Sequence, residues 1–312
     1  MKKILILAMS CNQDFFIDQE KHIKKLYAKD IIEGKYPNIE FYTYTASYDS
    51  KYHINKQLHK LYVPADDSLI GTFEKTLNTF KLSKHLNFDY DYILRTNCST
   101  YINVELLNRF INEIELNDKH VYTGSIYLSE SGTGPYNWCF YGVGNALLLS
   151  KFWVDVITTH NPKDFKNYVK TPDENYYKID DNTLGLIINS YAFKNKWDMY
   201  NLWESFKFPG INTVPLDPEN YIIIPYREYN IENTRNNEKQ VSLNIHKRIK
   251  QCDIKKIDIS DILDNQMIHI LVFDKGMHSF VTREFAEQFL NCMSLPRYLK
   301  VYFNTTDMND IK

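Results

Sequence analysis

The chain has 312 residues, a formal net charge of −2 at pH 7, and 44% hydrophobic residues. This length accommodates one large α/β domain, with or without a small appendage. A general nucleic-acid-binding protein would be clearly basic, so the charge argues against that class. Aromatic residues make up 15% of the chain, with 24 Tyr. A compositional bias of the genome accounts for this excess better than a set of carbohydrate-stacking platforms does.

The five cysteines are widely spaced, at Cys11, Cys98, Cys139, Cys252 and Cys292. An odd number without close pairs indicates neither a disulfide framework nor a zinc knuckle, and it fits a reducing cytoplasm. The N-terminal apolar run, Ile4 to Met9, is too short for a signal-peptide core or a membrane span. We therefore expect a cytoplasmic protein and leave open a peripheral position at the inner face of the membrane.

The first part of the chain predicts alternating strands and helices. Ile4–Met9 is a continuous apolar run, typical of a parallel strand covered on both faces. Asp18–Glu33 has helical apolar spacing, Glu40–Thr45 is typical of a strand, and Gly71–Leu86 predicts another helix. No G-x-G-x-x-G sequence follows the first strand, so a dinucleotide site is not expected.

The rest of the chain predicts further elements and a second, smaller unit. Strands are expected at Tyr92–Leu94, Val121–Gly124 and Tyr221–Pro225, and helices at Val104–Ile114, Lys151–Thr159 and Leu184–Phe193. Glu228–Glu238 has the polarity of a mobile loop, and a basic run follows it. In the tail, strands at Ile268–Phe273 and Leu299–Phe303 flank a helix at Thr282–Leu290. The prediction is one domain over 1–225 and a small C-terminal α/β extension over 226–312, which closes the sheet or mediates oligomers.

Two stretches place polar side chains where an α/β sheet binds its ligands. Asp89–Asn103 contains a short apolar strand that gives way to Arg95, Asn97 and Ser99. Ligands of open α/β sheets bind at such carboxyl ends of strands. The second stretch is Asp180–Gly185, which opens a helix with two carboxylates. A helix N-terminus stabilises negative charge, although an isolated Asp180 would be read as a simple N-cap.

These stretches resemble the GT-A glycosyltransferases, specifically the fringe and β-1,3-glycosyltransferase group. Asp180-Asp181-Asn182-Thr183-Leu184-Gly185 matches that group's Asp-Asp-x-Thr-x-Gly, while Ala65–Ser68 and Phe73–Leu77 have the same order and spacing as its upstream segments. The resemblance covers about residues 1–225. It implies a GT-A, Rossmann-like fold, with a mixed, mostly parallel sheet flanked by helices. It also implies inverting transfer from a nucleotide sugar, with UDP-sugar favoured, to an acceptor hydroxyl. A cytoplasmic bacterial-type enzyme without an anchor is expected to work on a surface glycan such as capsule, lipopolysaccharide or a lipid-linked saccharide.

The chain departs from the group at its metal motif, where Asn97-Cys98-Ser99 replaces the acidic triplet. Mg²⁺ and Mn²⁺ prefer carboxylate oxygens, so no metal site and no other cofactor are expected. The positive charge needed by a departing diphosphate would then come from the protein, as in the metal-independent core-2 branching type. The diphosphate-binding candidates are Arg227, Lys247, Arg248 and Lys250, with Arg95 and Lys75 as further cations.

The resemblance also implies roles for individual residues. Asp181 matches the catalytic base of the group, and Asp180 would orient it or bind acceptor hydroxyls. The expected donor-binding residues are Cys11, Asp66, Lys75, Arg95, Asn97, Ser99, Gly142 and Gly144. The expected partners are a nucleotide sugar and a saccharide acceptor, and no nucleic acid. Two alternatives remain open: a non-catalytic glycan- or nucleotide-binding relative that lost the metal site, and a retaining or CMP-sugar transferase.

Overall fold

A computed structural model describes residues 1–113, 121–129, 139–159, 180–194, 218–226, 235, 237–257, 259, 268–272 and 299–303. The strands are β1 (Ile4–Met9), β2 (Ile39–Ala46), β3 (His53–Asn55), β4 (Lys60–Val63), β5 (Tyr92–Asn97), β6 (Thr100–Ile102), β7 (Tyr122–Ser129), β8 (Cys139–Ser150), β9 (Ile223–Pro225), β10 (Ile268–Val272) and β11 (Leu299–Phe303). The helices are α1 (Asp14–Lys25), α2 (Ala28–Ile32), α3 (Thr72–His85), α4 (Val104–Glu113), α5 (Lys151–Thr159), α6 (Asp180–Lys194) and α7 (Glu238–Gln251).

The main sheet has seven strands in the order β3-β4-β2-β1-β5-β8-β7. β4, β2, β1 and β5 are parallel neighbours, whereas β3 and β8 run antiparallel to the strands they join. β7 pairs antiparallel with β8 and therefore points the same way as β5. This confirms the predicted class, an α/β fold with a mixed and mostly parallel sheet flanked by helices.

The apolar run of β1 explains why this strand lies in the middle of the sheet. Ile4 through Ala8 are no more than 1% exposed, because helices cover both faces. On one face Ile4 and Ile6 pack with residues of α1, α4 and α7. On the other, Leu5 and Leu7 pack with residues of α3, α5 and α6. Such two-sided burial is characteristic of parallel strands in α/β proteins.

The first helix differs from its predicted boundaries. The sequence predicts one helix over Asp18–Glu33, but α1 already begins at Asp14, and Leu26 breaks the helical path before α2. The break places Tyr27 in the core, with its ring centroid 6.1 Å from that of Phe41 and 5.4 Å from that of Tyr101. Aromatic packing therefore sets this boundary, and helical periodicity alone does not reveal it.

The segment after residue 225 also differs from its prediction. Glu238, expected at the end of a mobile loop, is fully buried and opens α7. Ile245 and Ile249, four residues apart, turn one face of this polar helix into the core that contains Ile4. The helix was not predicted, because only a narrow apolar stripe marks it. Residues 227–234 and 236 lie outside the described residues.

Two small sheets complete the described secondary structure. A strand was predicted at Tyr221–Pro225, and β9 is found there, pairing antiparallel with β6. The predicted C-terminal strands are confirmed as β10 and β11, which pair in parallel. The helix expected between them, Thr282–Leu290, lies outside the described residues. Within the described parts of the chain, no helix is both long enough and apolar enough to cross a membrane.

The buried centre of the sheet makes a stability prediction. Leu94 in β5 is 0% exposed, whereas Leu58 in the loop before β4 is 54% exposed. Leu94→Ala should lower the free energy of unfolding by about 2–5 kcal/mol, because it leaves a cavity between packed layers. The same truncation at Leu58 should change it by less than about 0.5 kcal/mol. Urea unfolding of both variants measures the difference, and equal losses would contradict the placement of β5 in the core.

Candidate active site

The polar residues converge where the sheet changes its direction of winding. β1 lies between β2 on one side and β5 on the other, so a crevice is expected between the loops after β1 and β5, at the carboxyl ends of these strands. Such switch points are where open α/β sheets bind ligands. Ser10 and Cys11 follow β1, and Cys98 and Ser99 follow β5. The predicted location of the site therefore lies at the switch point of the sheet.

Asn97 holds the turn after β5. Its side-chain Oδ1 accepts hydrogen bonds from the Ser99 N–H at 2.9 Å and the Thr100 hydroxyl at 3.1 Å. Its Nδ2 donates to the Gly144 carbonyl oxygen, 3.1 Å away on β8. The amide side chain thus joins the end of β5 to β8, and both of its polar atoms are engaged within the protein.

Arg95 lies deeper on β5 than the sequence implied. The strand continues through Arg95 to Asn97, and Arg95 is only 2% exposed. Its guanidinium forms an ion pair with the Asp180 carboxylate and donates to the Gly144 carbonyl. Burial lowers the pKa of Arg95, but the Asp180 carboxylate, together with Tyr44 and Asp181, outweighs the effect of burial, and the pKa is raised. Arg95 therefore remains charged in the interior.

The two acids that open α6 have different environments. Asp180 is 4% exposed, and its carboxylate accepts a hydrogen bond from the Thr76 hydroxyl at 3.1 Å. Its backbone N–H donates to the Thr72 hydroxyl at 3.3 Å. Asp181 is only partly buried, and its Oδ2 accepts the Gly144 N–H at 3.3 Å. One acid is thus built into the interior, while the other is half-buried and held against β8.

Lys75 and Asp67 fasten the loops on the α3 side. Lys75 is 1% exposed, forms an ion pair with Asp67 and donates to the Ser10 carbonyl at 3.2 Å. The second Asp67 oxygen accepts the Asn12 N–H at 2.5 Å. Asp66, the predicted donor-binding residue next to it, accepts the Ser68 N–H at 2.8 Å. These contacts shape the loop after β1, and they engage the ammonium group of Lys75 inside the protein.

The cysteines near the crevice are buried thiols. Cys98 is 1% exposed, and burial raises its pKa to about 12. Cys11 is 8% exposed, and burial likewise raises its pKa. Thiols in apolar surroundings with raised pKa values are poor nucleophiles. The buried Cys98 side chain therefore fills space in the core.

Arg235 is a cation beside Ser99 that the sequence analysis did not identify. Its guanidinium donates to the Ser99 hydroxyl oxygen and forms an ion pair with Glu238. The guanidinium carbon lies 4.5 Å from the Phe15 ring centroid and 5.2 Å from that of Phe16, both at the start of α1. A basic residue three positions before the first acid of a helix was the available signal. It was hidden because the helix itself was not predicted.

The basic run lies at the other end of α7. Lys250 pairs with Asp30 at 2.9 Å, and Arg248 pairs with Glu219 at 3.0 Å. α7 runs in the same direction as α1, since Ser242 contacts His22 at 2.7 Å while Lys250 reaches the residues after α1. These cations are therefore about 15–18 Å along the helix axis from Glu238, at the usual rise per residue. The fold therefore does not place Arg248, Lys250 or the exposed Lys247 next to Asn97.

Two predicted residues add little to the described geometry. Gly142 lies on β8 opposite Ile126, next to an irregularity in the pairing with β7. Arg227 lies outside the described residues.

The described part of the chain contains no cluster of three His, Cys, Asp or Glu side chains that could hold a metal ion.

Comparisons with known proteins give partial resemblances. No protein-family model matches the sequence, and no curated protein matches it. The chain is similar to a solved glycosyltransferase involved in glycosylation of the major capsid of PBCV-1, with 13% identity and a TM-score of 0.31, covering 55% of this chain and 69% of that one. It is also similar to the glycosyltransferase GlyE of Streptococcus pneumoniae TIGR4, with 14% identity and a TM-score of 0.37, and to its apo form, with a TM-score of 0.29. Each GlyE match covers 85% of this chain and 63% of GlyE.

Proposed function

We propose that the protein is a nucleotide-sugar-dependent glycosyltransferase that inverts the anomeric centre and needs no metal ion. The observation that carries this proposal is Asp181. Its carboxylate is partly exposed at the start of α6 and is oriented by the Gly144 N–H, beside the crevice where α/β sheets bind ligands. A fixed carboxylate in such a crevice can serve as a general base.

The proposed reaction is a direct displacement. Asp181 removes the proton from an acceptor hydroxyl, whose oxygen forms a bond to the anomeric carbon of the donor sugar. The bond from that carbon to the diphosphate oxygen breaks at the same time, and the electron pair leaves with the nucleoside diphosphate. Carboxylates are normally ionised at neutral pH, which is the form a base requires. Asp180 is too deeply buried to meet a substrate, so we assign it the orienting role.

The departing diphosphate requires positive charge, and Arg235 is the described cation placed to supply it. Its guanidinium donates a hydrogen bond to the Ser99 hydroxyl, and Ser99 lies in the turn after β5. Nε and Nη2 bond to Glu238 and Ser99, whereas Nη1 makes no hydrogen bond to a described residue. The N-terminus of α1 is next to it and has no side-chain cap. Helix N-termini and guanidinium groups both bind phosphate oxygens well.

Asn97 and Ser99, which stand where the resembled group has its metal-binding acids, do not fit a divalent cation. The Asn97 oxygen already accepts two hydrogen bonds, from Ser99 and Thr100. The Ser99 oxygen accepts one from the positively charged Arg235, which would repel a second cation. Neutral oxygens already engaged by donors are poor replacements for the carboxylates that Mg²⁺ and Mn²⁺ prefer.

Exposed apolar side chains support a lipid-linked acceptor. Tyr48 is 83% exposed, Leu69 is 70% exposed, and Ile70 is 42% exposed. They follow the carboxyl ends of β2 and β4, on the same edge of the sheet as the crevice. Aromatic and aliphatic side chains of this kind favour the boundary between water and a membrane. We therefore propose a surface-glycan acceptor presented at the cytoplasmic face of a membrane.

Donor hydrolysis in EDTA tests the proposed function. The purified protein should release nucleoside diphosphate from one of a panel of UDP- and GDP-sugars, and EDTA should not change the rate. A CMP-sugar, which would release the monophosphate, tests the alternative donor class. Strict dependence on added Mn²⁺ would contradict metal independence. Failure to bind or cleave any of these donors would contradict the glycosyltransferase itself.

Asp181→Asn should abolish transfer and leave folding and donor binding intact. The amide keeps the shape of the side chain but cannot accept the proton, so kcat should fall by about 10²–10⁴-fold. Asp89→Asn changes an acid whose side chain is 74% exposed and serves as the matched control with unchanged kcat. Transfer rates and UDP titrations measure both effects. A near-normal rate for Asp181→Asn would contradict its assignment as the base.

Arg235→Gln should weaken UDP binding by about tenfold or more, because a charge-assisted contact to the diphosphate is lost. Arg248→Ala removes a cation from the far end of α7 and should leave UDP affinity within about twofold of wild type. Arg235→Gln/Glu238→Gln avoids a buried unpaired carboxylate and should show the same weakening. Isothermal titration with UDP measures these affinities. A larger loss for Arg248→Ala than for Arg235→Gln would place the diphosphate at the basic run instead.

A further inference from the structure

The burial and the contacts of Arg95 are not explained by donor binding. It is 2% exposed, so its guanidinium cannot meet a diphosphate in the crevice. Two of its nitrogens are committed within the protein, one to the Asp180 carboxylate and one to the Gly144 carbonyl. A buried cation directed at two different elements has the properties of a structural clamp.

Arg95 binds Asp180 and Gly144, and both of these residues help to position Asp181. Asp180 is the residue that precedes Asp181 on α6, and Gly144 is the residue whose N–H donates to Asp181 Oδ2 at 3.3 Å. Arg95 therefore closes a ring of contacts that runs from its guanidinium through Asp180 to Asp181, and back through the backbone N–H and C=O of Gly144. A Cβ added at position 144 would lie 3.0 Å from Arg95 Nη1, so the guanidinium lies tightly against a glycine.

We propose that Arg95 is a positioning residue, which fixes the direction of the Asp181 carboxylate by clamping the start of α6 to β8. This inference rests on the proposed function, because it assumes that Asp181 is the base. It replaces the donor-binding role that the sequence predicted for Arg95. It also accounts for both contacts of the Arg95 guanidinium, with the Asp180 carboxylate and with the Gly144 carbonyl.

The geometry requires the two-pronged shape of arginine. A guanidinium presents several N–H donors in one rigid plane and can serve an acid and a carbonyl together, whereas an ammonium group acts as a point charge. Buried ion pairs are seldom the most stable solution for a protein interior. Arg95 Nε also has no hydrogen-bond partner among the described residues. An arrangement with these costs is consistent with a positional role at a functional site.

The charge of Arg95 acts on Asp181 as well. Asp181 contributes to the raised pKa of Arg95, and by reciprocity the guanidinium favours the ionised form of Asp181. A base works only when it is ionised, so activity falls as the pH drops through its pKa. Removing the positive charge should raise that pKa and move the acid limb of the rate profile to higher pH.

Two substitutions separate shape from charge. Arg95→Met removes both, so kcat should fall by about 100-fold and the acid limb of kcat/KM should move to higher pH. Arg95→Lys keeps the charge but cannot bridge Asp180 and Gly144, so kcat should fall while the acid limb stays where it is in wild type. UDP affinity should stay within about twofold in both variants. Steady-state kinetics across pH and UDP titration measure all three quantities.

Controls keep the test independent of folding. Arg95→Met/Asp180→Asn removes the unpaired buried charge and should fold cooperatively, with kcat still about 100-fold low. Lys60→Met breaks another buried ion pair, with Glu20 on α1, and should leave kcat and its pH profile unchanged. Weakened UDP binding in Arg95→Met, or full kcat in Arg95→Lys, would overturn the proposal. A wild-type protein without transferase activity would instead overturn the proposed function.

Discussion

The site depends on one buried ion pair, between Arg95 on the central sheet and Asp180 at the start of α6. Taking two charges out of water is expensive, and the expense is offset only when each charge finds close partners. Here the partners come from elements distant in sequence: Thr76 on α3 binds the acid, and Gly144 on β8 binds the guanidinium. The same contacts that make the pair tolerable also hold Asp181 next to the crevice. Stability of the interior and orientation of the proposed base are thus two results of one arrangement.

Much of the frame could be predicted from the sequence because its signals are local. The apolar run of β1 and the polar break after β5 are read directly from residue order, and both were predicted at the correct edge of the sheet. Asp180 and Asp181 were also predicted to open a helix, since acids are favoured at that end. The strands at Ile268–Val272 and Leu299–Phe303 were found for the same reason.

The parts that were missed depend on contacts between distant segments. Arg95 was expected to point into the crevice because nothing in its neighbours shows that Asp180, 85 positions later, neutralises it. Arg235 was hidden because its position is set by Ser99 and by rings on α1 rather than by its own segment. α7 carries only a sparse apolar stripe, so its burial against the sheet becomes evident only once the other helices are in place.

The path of α7 has a consequence for the ancestry of the site. Because this helix lies along α1, with Glu238 near the crevice and Lys250 near the opposite edge, the polypeptide after residue 225 completes the same interior that the first strand begins. A different C-terminal segment could replace α7 and Arg235 only if it supplied apolar side chains that fit the same core and a guanidinium that contacts Ser99. The two ends of the chain are therefore expected to diverge together, each constraining which changes the other can accept.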